Sequence, residues 1–159
     1  MDELLKILKE NALESPHDLS RMLGISEDEV KKRIADYEAR GVIRAYQAIL
    51  NPDQLDPNSV RAVIEVKITP ERDGGFNRIA GRISKFPEVE SLFLMSGTYD
   101  LLVFLTGHNL REVASFVSEK LATIEGVIST STHFMLKTYK DHGVLMEEKI
   151  TNERLTVSP

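Results

Sequence analysis

Cysteine and tryptophan are absent from this 159-residue chain. Without cysteine there are no disulfide staples and no thiolate metal sites. Long apolar runs are missing as well: the longest, Leu101 to Leu105, falls far short of the ~20 residues a membrane span needs. The N-terminus, Met1-Asp2-Glu3, is acidic where a secretory signal would carry lysine or arginine, so the expectation is a cytoplasmic protein with no membrane partner. Glycine is sparse and forms no phosphate-cradling motif, and the four histidines, His17, His108, His133 and His142, stand far apart. No catalytic arrangement, metal or cofactor is expected from that set. His17 and His108 fall at apparent helix starts and read as surface residues; for His133 a packed or interface position is favoured over catalysis. An excess of positive charge is also lacking, and the net charge of −5 argues at face value against a nucleic-acid partner.

What is present falls into two parts. In Asp2 to Ala12 the residues Leu4, Leu5, Ile7 and Leu8 recur at helical spacing. Ser15-Pro16 then predicts an N-cap with proline in the first turn, opening a helix through Leu19 and Met22 that stops at Gly24. Ser26 with Glu29 three residues on predicts a capping box, and Val30, Ile34 and Tyr37 mark the buried stripe of a third helix ending near Gly41. Three short helices, the last two joined by a glycine-containing turn, form a helix-turn-helix pattern. Val42 to Leu50 reads as a strand or hairpin arm, the wing. Residues 1–50 are thus a DNA-binding unit, and 51–59, with Pro52 and Pro57 among polar residues, a linker.

From Val60 the order is strand, helix, strand, strand, helix, strand. Ala62, Ile64, Val66 and Ile68 alternate with polar residues; Phe76 to Phe86 and Leu110 to Leu121 carry helical spacing; Val89 to Met95, Asp100 to Thr106 and a long Val127 to Tyr139 supply the other strands. The fold class is therefore α+β: a winged helix-turn-helix followed by a ferredoxin-like βαββαβ domain over 60–140, with both helices on one sheet face, and an extension over 141–159. Phe93, Met95, Phe104, Phe134 and Leu136 suggest that the open face, or its edge, is buried against a second subunit. In the extension, Val144 to Met146, Ile150, Leu155 and Val157 are sparse apolar residues that either pack on a neighbour or fray.

Three stretches, in this order and spacing, carry a family likeness. They are Val30-Lys31-Lys32-Arg33-Ile34 with Gly41-Val42-Ile43-Arg44, then Ser96-Gly97-Thr98-Tyr99-Asp100, then Thr130-Ser131-Thr132 before Leu136-Lys137. The sequence resembles the Lrp/AsnC (feast/famine) transcription regulators across nearly its whole length. The resemblance implies double-stranded DNA as one partner and a small effector, usually an amino acid, bound between neighbouring dimers near the loop between strands two and three of the second domain. It also implies homodimers that join into rings, with an octamer expected.

The residues can be weighed against those implications. Residues 1–54 carry a net charge of −3, yet Lys31, Lys32, Arg33, Arg40 and Arg44, with Arg21 on the preceding helix, cluster about one helix and its wing and are assigned to DNA. The bland alternative is a solvated helix face with Lys32 and Asp36 paired at i, i+4. Glu27, Asp28 and Glu29 either complement the positive helix end or place an acceptor opposite a cytosine amino group. In the loop, Gly97 lets backbone amides approach a carboxylate, Ser96, Thr98 and Tyr99 offer polar groups, and Asp100 suits an ammonium group. The competing reading makes Gly97 a hairpin residue and Asp100 a local cap or pair. Thr130, Thr132 and His133 are expected to face the same interface if the last strand lies beside it. Two other functions remain open: an enzyme similar to the sirohaem decarboxylases, which share this fold and act through histidine, and an oligomeric small-molecule binder without DNA function.

Overall fold

The computed structural model describes residues 1–70 and 75–146. The chain divides into two compact units, Met1–Leu50 and the residues from Asn51 on.

The first unit holds α1 (Glu3–Glu10), α2 (Pro16–Leu23) and α3 (Glu27–Ala39). Each begins at a side-chain cap: Asp2 accepts from the Leu4 amide, Ser15 from Asp18 and Ser26 from Glu29, so an otherwise unpaired amide of each first turn is satisfied. Gly24 ends α2 in the left-handed conformation, φ +65°, which glycine adopts without a Cβ penalty. Leu4, Leu19 and Val30, one from each helix, are fully buried, and Ile7, Leu8, Leu23, Ile25, Ile34 and Tyr37 pack around them. Three helices of this length are marginal alone, and it is this shared apolar centre that holds them.

Val42 to Leu50 forms no strand, which corrects the expected wing arm. Among the described residues no strand pairs with it, and Val42, Tyr46, Ile49 and Leu50 are exposed; a single extended segment has no ladder to stabilise it. Two contacts anchor the segment to α3. The Val42 and Ile43 amides donate to the Tyr37 carbonyl, and the Tyr46 hydroxyl donates to Glu38.

In the second unit β1 (Val60–Ile68), α4 (Asn77–Ile83), β2 (Val89–Leu94), β3 (Leu101–Gly107), α5 (Leu110–Ser115) and β4 (Val127–Phe134) follow in the ferredoxin-like order. α5 continues through a π-helical turn, Phe116–Leu121, where the sequence predicts one uninterrupted helix. The sheet is antiparallel, in the order β2-β3-β1-β4. Ala62, Ile64, Val66, Ile68, Leu101, Val103 and Leu105 line one face. They share a core with Ile79, Ile83, Val113, Phe116 and Leu121 of the helical segments, as two-residue alternation requires.

Two boundaries move. β4 ends at Phe134 rather than Tyr139. Beyond it the Met135 amide still donates to Arg61, but pairing then stops. A two-residue hairpin follows, β5 (Lys140–Asp141) with β6 (Val144–Leu145), and buried Met146 accepts a hydrogen bond from the Asn51 side chain at its carbonyl. The start of the extension is therefore ordered, and the linker start is fastened to it. Ile150, Leu155 and Val157 lie outside the described residues.

Candidate functional site

On α3, burial of Val30 and half-burial of Ile34 and Tyr37 turn the opposite side to solvent. Lys31, Lys32 and Arg40 are exposed there, Arg33 is half-buried on the flank, and Arg21 and Arg44 are exposed on their own segments. Arg33 Nε lies 2.8 Å from Glu29 Oε1 and Arg40 Nη1 2.9 Å from Asp36 Oδ2, while Lys31 Nζ stands 4.0 Å from Glu27. Lys32 has no ion pair among the described residues. The Lys32–Asp36 pair of the alternative reading is not formed; Arg40, also four residues from Asp36, takes that carboxylate with its longer, forked side chain. The hydrogen bond from Arg33 holds the Glu29 carboxyl below its ordinary pKa. Sequence reasoning counted the cations and missed their partners, although acid four residues before base is the very spacing that brings them together. At the helix start, Glu27 also meets His17 of α2, Nδ1 to Oε1 2.8 Å.

The loop between β2 and β3 is the second candidate. Ser96, Gly97 and Thr98 are exposed, Tyr99 and Asp100 half-buried. Gly97 sits at φ +130° with open space where a Cβ would be, so the turn itself calls for glycine. Asp100 is engaged. The ladder between β1 and β3 ends at the Val66–Leu101 pair, and one residue before β3 the Asp100 carboxylate accepts from the Ile68 amide at 2.8 Å while its own amide donates to the Val66 carbonyl at 3.0 Å. This is the local pairing role: Asp100 satisfies a backbone donor of β1 that lies past the end of β3.

The three β4 residues lie on two faces of the sheet. Thr130 and Thr132 pair with Val66 and Ile64, the helix-covered side, whereas His133 pairs with Val63 on the open side. His133 Nε2 lies 3.4 Å from Glu65 Oε1 and 3.4 Å from Ser131 Oγ; Glu65 was not singled out from sequence, since its position across from β4 depends on register. Side chains one residue apart in a strand point to opposite faces, so His133 and the two threonines stand on opposite sides of this edge strand. Phe93 and Phe104 stand edge to face on the open side, 5.9 Å between centroids. Phe134, by contrast, pairs with Ala62 and belongs to the helix-covered side at the sheet edge. Leu136 and Met95 lie beyond the strands that were expected to carry them.

Among the described residues no group of three or more His, Cys, Asp or Glu is placed to hold a metal ion, and no helix is long and apolar enough to cross a membrane.

A capped three-helix unit that presents lysines and arginines on its last helix, followed by an antiparallel sheet with helices on one face, defines a regulator that pairs a DNA-reading unit with a sensing unit. The comparisons agree. Residues 61–145 match the Lrp/AsnC ligand binding domain and residues 3–44 a winged helix-turn-helix DNA-binding domain. The chain is 44% identical over 158 residues to the uncharacterized HTH-type transcriptional regulator YugG of Bacillus subtilis, covering 99% of this chain and 95% of that one. It is 30% identical over 139 residues to the HTH-type transcriptional regulator FL11 of Pyrococcus horikoshii, covering 87% and 89%. Among solved structures it is similar to the transcriptional regulator NMB0573/L-Met complex from Neisseria meningitidis, TM-score 0.72 with 28% identity, covering 89% of this chain and 93% of that one. Escherichia coli AsnC shares the fold, TM-score 0.67 at 20% identity over 87% and 93%. The chain belongs to the Lrp/AsnC family and is a DNA-binding transcriptional regulator of that type, with a ligand-binding domain for a small-molecule effector.

Proposed function

We propose that α3 reads operator DNA through Lys32 and Lys31, with Arg21, Arg33, Arg40 and Arg44 contacting the flanking backbone. The effector is an amino acid held near the Ser96 to Asp100 loop, together with residues of β4 that face one side. The observation that carries the DNA assignment is Lys32: it is exposed, opposite the buried stripe, and no carboxylate of the described chain occupies it. A free ammonium reaches phosphate or a base edge without first giving up a partner. Lys32→Ala is expected to weaken binding to any duplex by roughly tenfold and to lower the slope of log affinity against log salt by about 1. Arg33→Ala, whose guanidinium is already satisfied by Glu29, is expected to do less. Fluorescence anisotropy on a random-sequence duplex measures both; equal and negligible losses would remove α3 from the interface.

Support for an amino-acid effector is that the Neisseria meningitidis structure is an L-Met complex. In this chain Asp100 gives one oxygen to the Ile68 amide and has a second to offer an ammonium group. Asp100→Asn keeps an acceptor for Ile68 and removes the charge. Stability to urea is expected to change little, while affinity for whichever of the twenty amino acids the unaltered protein binds in a calorimetric screen falls at least tenfold, as for the loss of a charged partner. Retained affinity in a folded Asn variant would exclude Asp100 as the ammonium partner.

The oligomer is proposed to be a homodimer built on the open sheet face, where Phe93, Phe104, Leu102 and Val63 are apolar, with dimers joining into a ring, an octamer being the assembly expected. Preference of the effector for one arrangement of dimers then changes the spacing of the reading helices and so the operator that is bound. A cytoplasmic site of action follows from DNA as the partner.

A further inference from the structure

α3 and its C-cap carry four cations, Lys31, Lys32, Arg33 and Arg40, and all but Lys32 stand four residues after a carboxylate at 4.0 Å or less. The two arginine pairs are the close ones, with nitrogen to oxygen distances of 2.8 and 2.9 Å. A guanidinium offers the same planar fork to a carboxylate as to a phosphate. In the free protein Glu29 and Asp36 therefore occupy the groups that DNA would need. Both pairs are solvent-exposed, with about half of each side chain accessible, and exposed pairs exchange partners readily. They compete with phosphate without locking it out.

We infer that Glu29 and Asp36 are affinity-limiting residues of the DNA-reading helix: they act as resident phosphate mimics on Arg33 and Arg40 and hold non-specific DNA binding down. This deepens the DNA assignment proposed above and rests on α3 facing the duplex. A recognition helix with four free cations would bind any duplex strongly, since sequence-independent affinity scales with the phosphates neutralised. With two of them held in internal pairs, phosphate contact alone gains little, and the operator must add base-edge contacts before binding is firm. The net charge of −3 over residues 1–54 is then part of how sequence preference is obtained.

The test uses the full-length chain and fluorescence anisotropy with a random-sequence duplex and with DNA from upstream of its own gene. Glu29→Gln and Asp36→Asn remove the negative charge and keep the size of each side chain. In the double variant, affinity for the random duplex is expected to rise roughly tenfold at 0.1 M salt, and the log–log salt slope to steepen by about 1 to 2, one freed cation contributing ~0.9. The ratio of specific to random binding should fall. A second double variant, Glu119→Gln with Glu125→Gln, makes the same change in net charge on exposed residues of the other unit. It is expected to leave all three quantities within twofold.

Three results overturn the inference. The first is unchanged affinity and slope in the Glu29/Asp36 variant while Lys32→Ala still weakens binding, which leaves α3 as the reading helix and removes the mimics. The second is an equal rise in the Glu119/Glu125 variant, which makes the effect one of overall charge. The third is indifference of both the Glu29/Asp36 variant and Lys32→Ala, which removes the DNA assignment of α3 along with the mimics. Unaltered helical circular dichroism in each variant confirms that loss of structure is not being read as loss of charge.

Discussion

Leu19→Ala is expected to melt the DNA-reading unit and leave the sheet unit folded. The first unit is centred on Leu4, Leu19 and Val30, each fully buried. Truncating a buried leucine costs ~2–5 kcal/mol, the larger values where surroundings cannot close over the cavity. A unit of residues 1–50 has a stability of roughly 3–7 kcal/mol on the usual per-residue scale, so one truncation removes most of it. The second core cluster shares no residue with the first. Hydrogen exchange should therefore show lost amide protection in α1 to α3 with β1 and β3 still protected, and anisotropy should show no DNA binding. Uniform loss of protection in both units, or none in either, would contradict separate cores.

Gly126→Ala should be nearly as damaging, for a different reason. Gly126 lies at φ +94°, and a Cβ there would come within 2.6 Å of Cδ1 of Ile79, a side chain that is fully buried in the core. The backbone conformation costs ~1–3 kcal/mol for a residue with a side chain, and crowding a packed core adds ~1–3 kcal/mol. The same substitution at Gly97, φ +130° in open space, meets only the first cost. Urea unfolding of the two variants separates the terms: Gly126→Ala should lose about 2–5 kcal/mol, clearly more than Gly97→Ala. Equal losses would mean that Ile79 moves aside freely.

Helix limits were legible in the sequence because caps and breakers act locally. Ser15 and Ser26 each accept the amide that their position predicts, and Ala62 to Ile68 alternate as a strand buried on one face must. The element order was enough to name the ferredoxin-like sheet. Features that depend on a partner were not legible. Val42 to Leu50 has the composition of a strand, but among the described residues no neighbouring strand completes it. Which β1 residues Thr130, Thr132 and His133 stand beside depends on the register between the two strands, which residue type does not encode. Asp100 shows the limit most plainly: a carboxylate beside a glycine turn suits a ligand or a backbone amide equally well until the amide of Ile68 is seen against it.

The sheet order also sets a timetable for synthesis. β1 is made first but lies between β3 and β4, so Ile64 waits for both Val103 and Thr132 before it is paired on its two sides. Closing such distant contacts is slow, whereas helix contacts within one short segment form fast. At a ribosomal rate of ~5–20 residues per second, the capped helices have seconds in which to assemble while β1 still presents two unsatisfied edges. The helical unit of the nascent chain therefore folds ahead of the sheet, and the hazard during that interval is a bare, apolar central strand.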